Sequence, residues 1–173
     1  MVQNMKKIGV FYGSETGTTA DVARRIARKL EVGDEDVFDV ADTAPSNAGD
    51  YDLLVLGTST WGDGEPAESW LDFISGLEVM DLHGKEAALF GCGDETMTDT
   101  FCSGVGVIYN RLKPTKIRFI APYDTIGYSF DESMAKPGGA LEAVGLLLDE
   151  VNHPELTDTR LAGWTSLIKR EIK

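Results

Sequence analysis

Three short segments of this chain concentrate residue types that bind polar ligands. The first, Ser14-Glu15-Thr16-Gly17-Thr18-Thr19, sets four hydroxyls and a glycine directly before a helical pattern. Hydroxyls and unpaired backbone N–H groups at a helix start suit a phosphate, and the helix dipole favours the anion. No Lys or Arg lies between Ser14 and Ala20, and no Gly-Lys pair follows Gly13 or Gly17. The segment is therefore neither a Walker A loop nor a GxGxxG dinucleotide turn. An ordinary helix cap, where Ser and Thr are common, would read the same way. The second segment is Thr58-Ser59-Thr60-Trp61-Gly62-Asp63-Gly64-Glu65-Pro66. Its glycines permit positive φ and close backbone approach, so Trp61 beside them is a stacking surface for a planar ring. Packing of Trp61 over the core edge is the alternative. The third, Gly91-Cys92-Gly93-Asp94-Glu95-Thr96-Met97, offers backbone amides to a polar ring edge, or is a plain turn.

Other chemistries find little support. His83 and His153 stand near no Ser or Cys in a nucleophile pattern and read as surface residues. Cys92 and Cys102 lack CxxC spacing, which argues against metal or dithiol chemistry. Asp131-Glu132 and Asp149-Glu150 read as solvated faces, and no acid–base pair stands out.

The elements that must carry these segments alternate. The run Ile8-Gly9-Val10-Phe11-Tyr12 is a buried strand. Val22, Ala23, Ile26, Ala27 and Leu30 then mark one face of a helix. Residues 37–40 form a weak strand and Leu53-Leu54-Val55-Leu56-Gly57 a strong one. A helix is expected over 67–76, burying Leu71 and Ile74. Ala87-Ala88-Leu89-Phe90 is the fourth strand. Phe101, Val105, Ile108, Tyr109 and Leu112 mark a helix that Pro114 ends. Residues 117–121 begin a last strand, residues 122–139 are irregular, and Val144-Gly145-Leu146-Leu147-Leu148 resumes as strand. Thr157 is expected to cap a final helix with Leu161, Trp164, Leu167 and Ile168 inward. Strands alternating with helices predict an α/β doubly wound sandwich, a parallel sheet covered on both faces. The interrupted fifth strand reads as an insertion and not a second domain, so residues 1–173 form one domain.

Composition agrees. The 173 residues, 42% apolar and 26% charged, suit a globular domain. No run approaches the ~18 apolar residues of a membrane span. Sixteen Lys and Arg against 29 Asp and Glu leave a net charge of −13. Such a chain repels nucleic acid and anionic membranes and is steered toward basic surfaces. The start of the chain lacks the apolar core and small-residue cleavage site of a signal peptide, so the expected location is the cytoplasm.

Together the three segments resemble the flavodoxin family. Ser14-Glu15-Thr16-Gly17-Thr18-Thr19 after a first strand is similar to its phosphate motif, [ST]-x-T-G-x-T. Thr60-Trp61 with Gly64-Glu65 resembles the loop covering one flavin face, and Leu89-Phe90-Gly91-Cys92-Gly93-Asp94 the loop holding the pyrimidine edge. Gly127-Tyr128-Ser129-Phe130, the stretch from Val144 through Glu150, Leu156-Thr157 and Arg160 resemble the long-chain branch, whose insertion splits the fifth strand. The 2-1-3-4-5 sheet order belongs to the family and follows from the resemblance alone.

The resemblance implies noncovalent FMN and one-electron transfer between semiquinone and hydroquinone. The phosphate would sit on Ser14, the Glu15 backbone, Thr16, Gly17, Thr18 and Thr19. Ser59 and Thr60 would lie along the ribityl chain, and Trp61 would stack on the inner ring face. Gly62 and Asp63 would meet N5 through a peptide able to flip, and Gly62→Ala is expected to penalise a flip needing positive φ. Cys92, Gly93 and Asp94 would contact the polar edge. Many members carry a Tyr on the outer face; here the run after Asp94 is one residue short and Met97 falls nearest that position, which implies a more exposed flavin. Implied partners are basic-surfaced redox proteins, such as a ferredoxin/flavodoxin-NADP reductase and acceptor oxidoreductases, docking on a monomer. A flavodoxin-fold quinone reductase is the alternative. A phosphoacceptor receiver domain needs an acidic cluster after the first strand, where this chain has Tyr12-Gly13-Ser14.

Overall fold

The structure is a computed structural model and describes residues 5–172. The leader reading includes residues 1–4, which lie outside the described residues. Ile8–Gly13 (β1) and Leu53–Trp61 (β3) are apolar runs buried on both faces, as inner strands of a parallel sheet must be. β1 pairs in parallel with Val37–Asp39 (β2) and β3, and β3 with Glu86–Cys92 (β5). A two-residue strand, Glu65–Pro66 (β4), turns back on the end of β3. The far edge of β5 is covered in two parts. Arg118–Ile120 (β6) pairs with residues 86–88 and Gly145–Leu148 (β9) with residues 89–92. The sheet order is β2-β1-β3-β5 and then β6 with β9, which is the expected 2-1-3-4-5 when the short β4 is left out and β6 and β9 count as halves of one strand.

Between those halves lies the insertion, pinned by the antiparallel pair Tyr123–Asp124 (β7) and Glu142–Ala143 (β8). Tyr128 donates its hydroxyl proton to Leu147 O, and the Arg160 guanidinium lies 3.8 Å from its ring centroid. The Phe130 ring packs 5.0 Å from that of Phe101. These contacts hold the insertion against the sheet.

Alternation along the strands builds two cores. Phe11, Leu54 and Leu56 face the helices Ser69–Glu78 (α2) and Ser103–Leu112 (α3). Val10, Val55 and Phe90 face Thr18–Lys29 (α1) and Pro154–Glu171 (α4). In α1 the buried face is Val22, Ala23, Ile26 and Ala27, as the spacing predicts. No helix among the described residues is long and apolar enough to cross a membrane.

Several local expectations are corrected. α2 starts at Ser69, two residues later than predicted, and buries Trp70, Phe73, Ile74 and Leu77, while Leu71 is 47% exposed. The cause is tertiary: the Trp70 indole N–H donates to Gly57 O at 2.8 Å, and its ring fills space left by Gly13, where a Cβ would stand 2.5 Å away. α4 starts at Pro154, a residue pre-set for a first helical turn, so Thr157 lies inside the helix, buried, and is not its cap. Leu161, Trp164 and Ile168 face inward as expected, with Leu167 only partly buried. Asp149 is not on a solvated face; it is fully buried.

Candidate functional site

The carboxyl ends of β1, β3 and β5 bring the three segments to one edge of the sheet. The first follows β1. Gly17 takes φ +94, a conformation that favours glycine, and its N–H donates to Ser14 Oγ at 3.0 Å. The Thr16 and Thr18 hydroxyls lie 3.4 Å apart. Among the described residues, the amides of Glu15, Thr16, Thr18 and Thr19 find no partner within the protein. Thr19 Oγ1 is buried beside the Cys92 thiol. The Glu15 carboxylate is turned away and accepts the Glu68 N–H at 2.9 Å, at the start of α2. What remains is a cradle of neutral donors at a helix N-terminus, which fits a phosphate monoester.

The second segment carries Trp61 out to 42% exposure. Its indole N–H donates to Ser59 Oγ at 2.7 Å, which fixes the ring plane. The Thr60 hydroxyl accepts the Gly104 N–H at 3.0 Å from α3. Gly64 N–H closes a turn onto Trp61 O at 3.0 Å, with Gly62 at φ +52. Positive φ at the first central residue and not at Asp63 is the pattern of a II′ turn. Residue 62 thus needs positive φ already in this state, and rotating the 62–63 peptide would keep that demand and add one at Asp63. Alanine at 62 therefore strains the turn as it stands as well as a flipped form.

In the third segment Cys92 is buried, and burial pushes its thiol up to about 12. Cys102 is also free and buried. Asp94 Oδ1 accepts the Thr96 N–H at 2.9 Å, the Thr96 hydroxyl at 2.6 Å and Asn152 Nδ2 at 2.8 Å. The Thr96 hydrogen bonds, hydroxyl first, hold this carboxyl below its ordinary value. Asp94 therefore aims its charge back into its own loop, and its backbone N–H is left without a partner in the protein.

Between the second and third segments lies a cavity of about 230 Å³ lined by Thr60, Trp61, Gly62, Asp94, Met97 and Thr100, with Phe101 and Cys102 behind. Met97, 55% exposed, stands on this wall. The fold thus assembles Thr60, Trp61, Gly62, Asp94 and Met97 around one slot and Ser14, Thr16, Gly17, Thr18 and Thr19 around one cradle. Ser59 and Cys92 pair across β3 and β5 behind them. Asp63 and Gly93 do not line the slot. Sequence reasoning missed Thr100, Cys102, Asp149 and Asn152. Asn152 lies 58 residues from Asp94, and no local spacing signals such a contact. Among the described residues no group of His, Cys, Asp and Glu could hold a metal ion.

A phosphate cradle after the first strand, beside a ring-sized slot at the switch point of a doubly wound sheet, defines a nucleotide-binding α/β protein. The flavodoxin family model matches residues 10–164, and the chain belongs to that family. It is 37% identical to a flavodoxin of Buchnera aphidicola over 170 residues, 97% of each chain. It is 38% identical to flavodoxin 1 of Escherichia coli K12 over 165 residues, 95% of this chain and 93% of that one. A crystal structure of Fusobacterium nucleatum flavodoxin bound to flavin mononucleotide superposes with a TM-score of 0.87 at 31% identity, covering 98% of this chain and all of the other.

Proposed function

We propose that this chain is a single FMN-binding unit that works as a one-electron carrier. The observation that carries the reading is the cradle of free amides at the start of α1, on the same sheet edge as the Trp61 slot. The FMN-bound relative supports it. In this reading Ser14, Thr16, Thr18 and Thr19, with the backbone of Glu15 and Gly17, hold the phosphate. Ser59 and Thr60 lie along the ribityl chain. Trp61 covers the inner ring face and Met97 the outer one. The Gly62 and Asp63 backbone meets N5, and the backbone of Cys92, Gly93 and Asp94 meets the polar edge.

Bound FMN supplies one-electron redox chemistry. The chain's own part is to orient the ring, cover it, and withhold positive charge. No Lys or Arg occurs in residues 14–20, 58–66 or 91–97, while Glu15, Asp63, Glu65, Asp94 and Glu95 do. Negative charge added to the ring is disfavoured there, and each ~1.4 kcal/mol of disfavour lowers a one-electron potential by ~59 mV. The carrier is therefore a low-potential one.

Beside Trp61 lies a hollow of about 660 Å³ whose lining includes Glu15, Glu65, Glu68 and Leu71. Apolar surface rimmed by carboxylates suits basic-surfaced redox partners, such as a ferredoxin/flavodoxin-NADP reductase and acceptor oxidoreductases, in small, salt-sensitive complexes. The chain works as a monomer in the cytoplasm.

The test is an equilibrium titration of apoprotein with FMN and with riboflavin, which lacks the phosphate. Wild type is expected to bind FMN one to one. Thr19→Val should weaken FMN by about tenfold and riboflavin far less, the worth of one hydrogen bond. Equal loss for both ligands would contradict the phosphate assignment, and no FMN binding would contradict the reading itself.

A further inference from the structure

Behind the ring-edge loop stands a brace built from the far end of the fold. Asp149, just after β9, is fully buried. Its Oδ1 accepts the Val151 N–H at 2.9 Å and the Asn152 N–H at 2.8 Å. Its Oδ2 accepts the Glu95 N–H at 3.0 Å and Asn152 Nδ2 at 2.8 Å. The same Asn152 Nδ2 reaches Asp94 Oδ1 at 2.8 Å. One side-chain amide, with two N–H donors, therefore spans two carboxylates. The rest of the loop is tied as well. Gly93 N–H donates to Leu148 O at 2.9 Å, Met97 N–H to Asp94 O at 2.9 Å, and Ser129 N–H, from the insertion, to Glu95 Oε2 at 3.2 Å. The Asp94 N–H is the group left over.

We propose that Asn152 is a positioning residue for the flavin's polar edge. By bridging Asp149 and Asp94 it fixes where the unpaired Asp94 N–H points and where Met97 stands relative to Trp61. Hydrogen bonds to ionised carboxylates are the stronger kind, and a buried acceptor such as Asp149 gives the bridge a fixed anchor. The proposal rests on the FMN reading above, but it concerns the ring edge and not the phosphate cradle. Loss of the brace should therefore act on FMN and riboflavin alike.

The experiment compares wild type with Asn152→Leu, which keeps most of the shape and removes the donors without adding charge, and with Asn152→Ala. Each apoprotein is titrated with FMN, riboflavin and inorganic phosphate, and each FMN-loaded protein is reduced stepwise under anaerobic conditions. Both flavins are expected to bind about tenfold more weakly in the variants, by a common factor, with phosphate affinity unchanged. The second reduction step should shift to lower potential more than the first, because the free Asp94 N–H would be the donor to the polar edge of a bound flavin, where negative charge would gather. Unchanged riboflavin affinity in a folded variant, or a loss confined to FMN, overturns the proposal. Amide exchange in wild-type apoprotein tests it without a variant: the Glu95 N–H should be protected like a strand amide, and exchange at an exposed-loop rate overturns it. Wild type that binds neither flavin instead overturns the FMN reading.

Discussion

Met97 lines the slot together with Trp61. A thioether contacts a ring, but it covers less of it than a phenol does, and here it is half-exposed. Met97→Tyr should tighten FMN by ~0.5–1.5 kcal/mol, the range for an aromatic pair, as read by fluorescence titration. Asp94 yields a pH prediction. The Thr96 hydrogen bonds depress its folded value. The stability it contributes is thus present above its unfolded value of ~3.9 and is lost as pH falls through the folded one. Asp94→Ala should be less stable than wild type in urea at pH 7, and the two curves should converge in acid. The same residues mark the limit of what local pattern reveals. Ser14 to Thr19 and Trp61 could be picked out because hydroxyls, glycines and a lone Trp follow strand ends. Asp149 could not, since an Asp-Glu pair after a strand looks solvated until Glu95 and Asn152 fold onto it.

At the scale of elements, apolar runs disclosed every long strand, and the broken fifth strand foretold an insertion whose halves pair with consecutive stretches of β5. The helix faces were harder. Periodicity offered Leu71 as a core residue because it stands three residues before Ile74, a spacing that shares a helix face. The actual register is set by Trp70, whose ring needs bare backbone at Gly13 and whose N–H needs Gly57 O. Neither requirement is local in sequence. Trp70→Ala should therefore cost ~3–5 kcal/mol in chemical denaturation, the range for deleting a buried aromatic, whereas Leu71→Ala should cost under ~0.5 kcal/mol. A comparable loss from both would mean that α2 packs in the other register. Thr157 was misplaced for a related reason: proline started the helix three residues earlier and the threonine was carried inside.

For the whole molecule, the sheet gathers the donor cradle, Trp61 and the Asp94 loop at one end, among acidic residues. Excess negative charge, −13 over the chain, opposes a further electron on a ring bound beside segments that carry no Lys or Arg. It also steers the molecule toward basic surfaces. Both effects follow from one carrier role, which stands or falls on how the bound flavin takes up electrons. The most direct measurement is an anaerobic reductive titration of the FMN-loaded protein, followed by visible absorbance. Two separable one-electron steps, the second at low potential, are expected. A single two-electron step, with unaided turnover of NAD(P)H and a quinone, would contradict the carrier and identify a reductase instead.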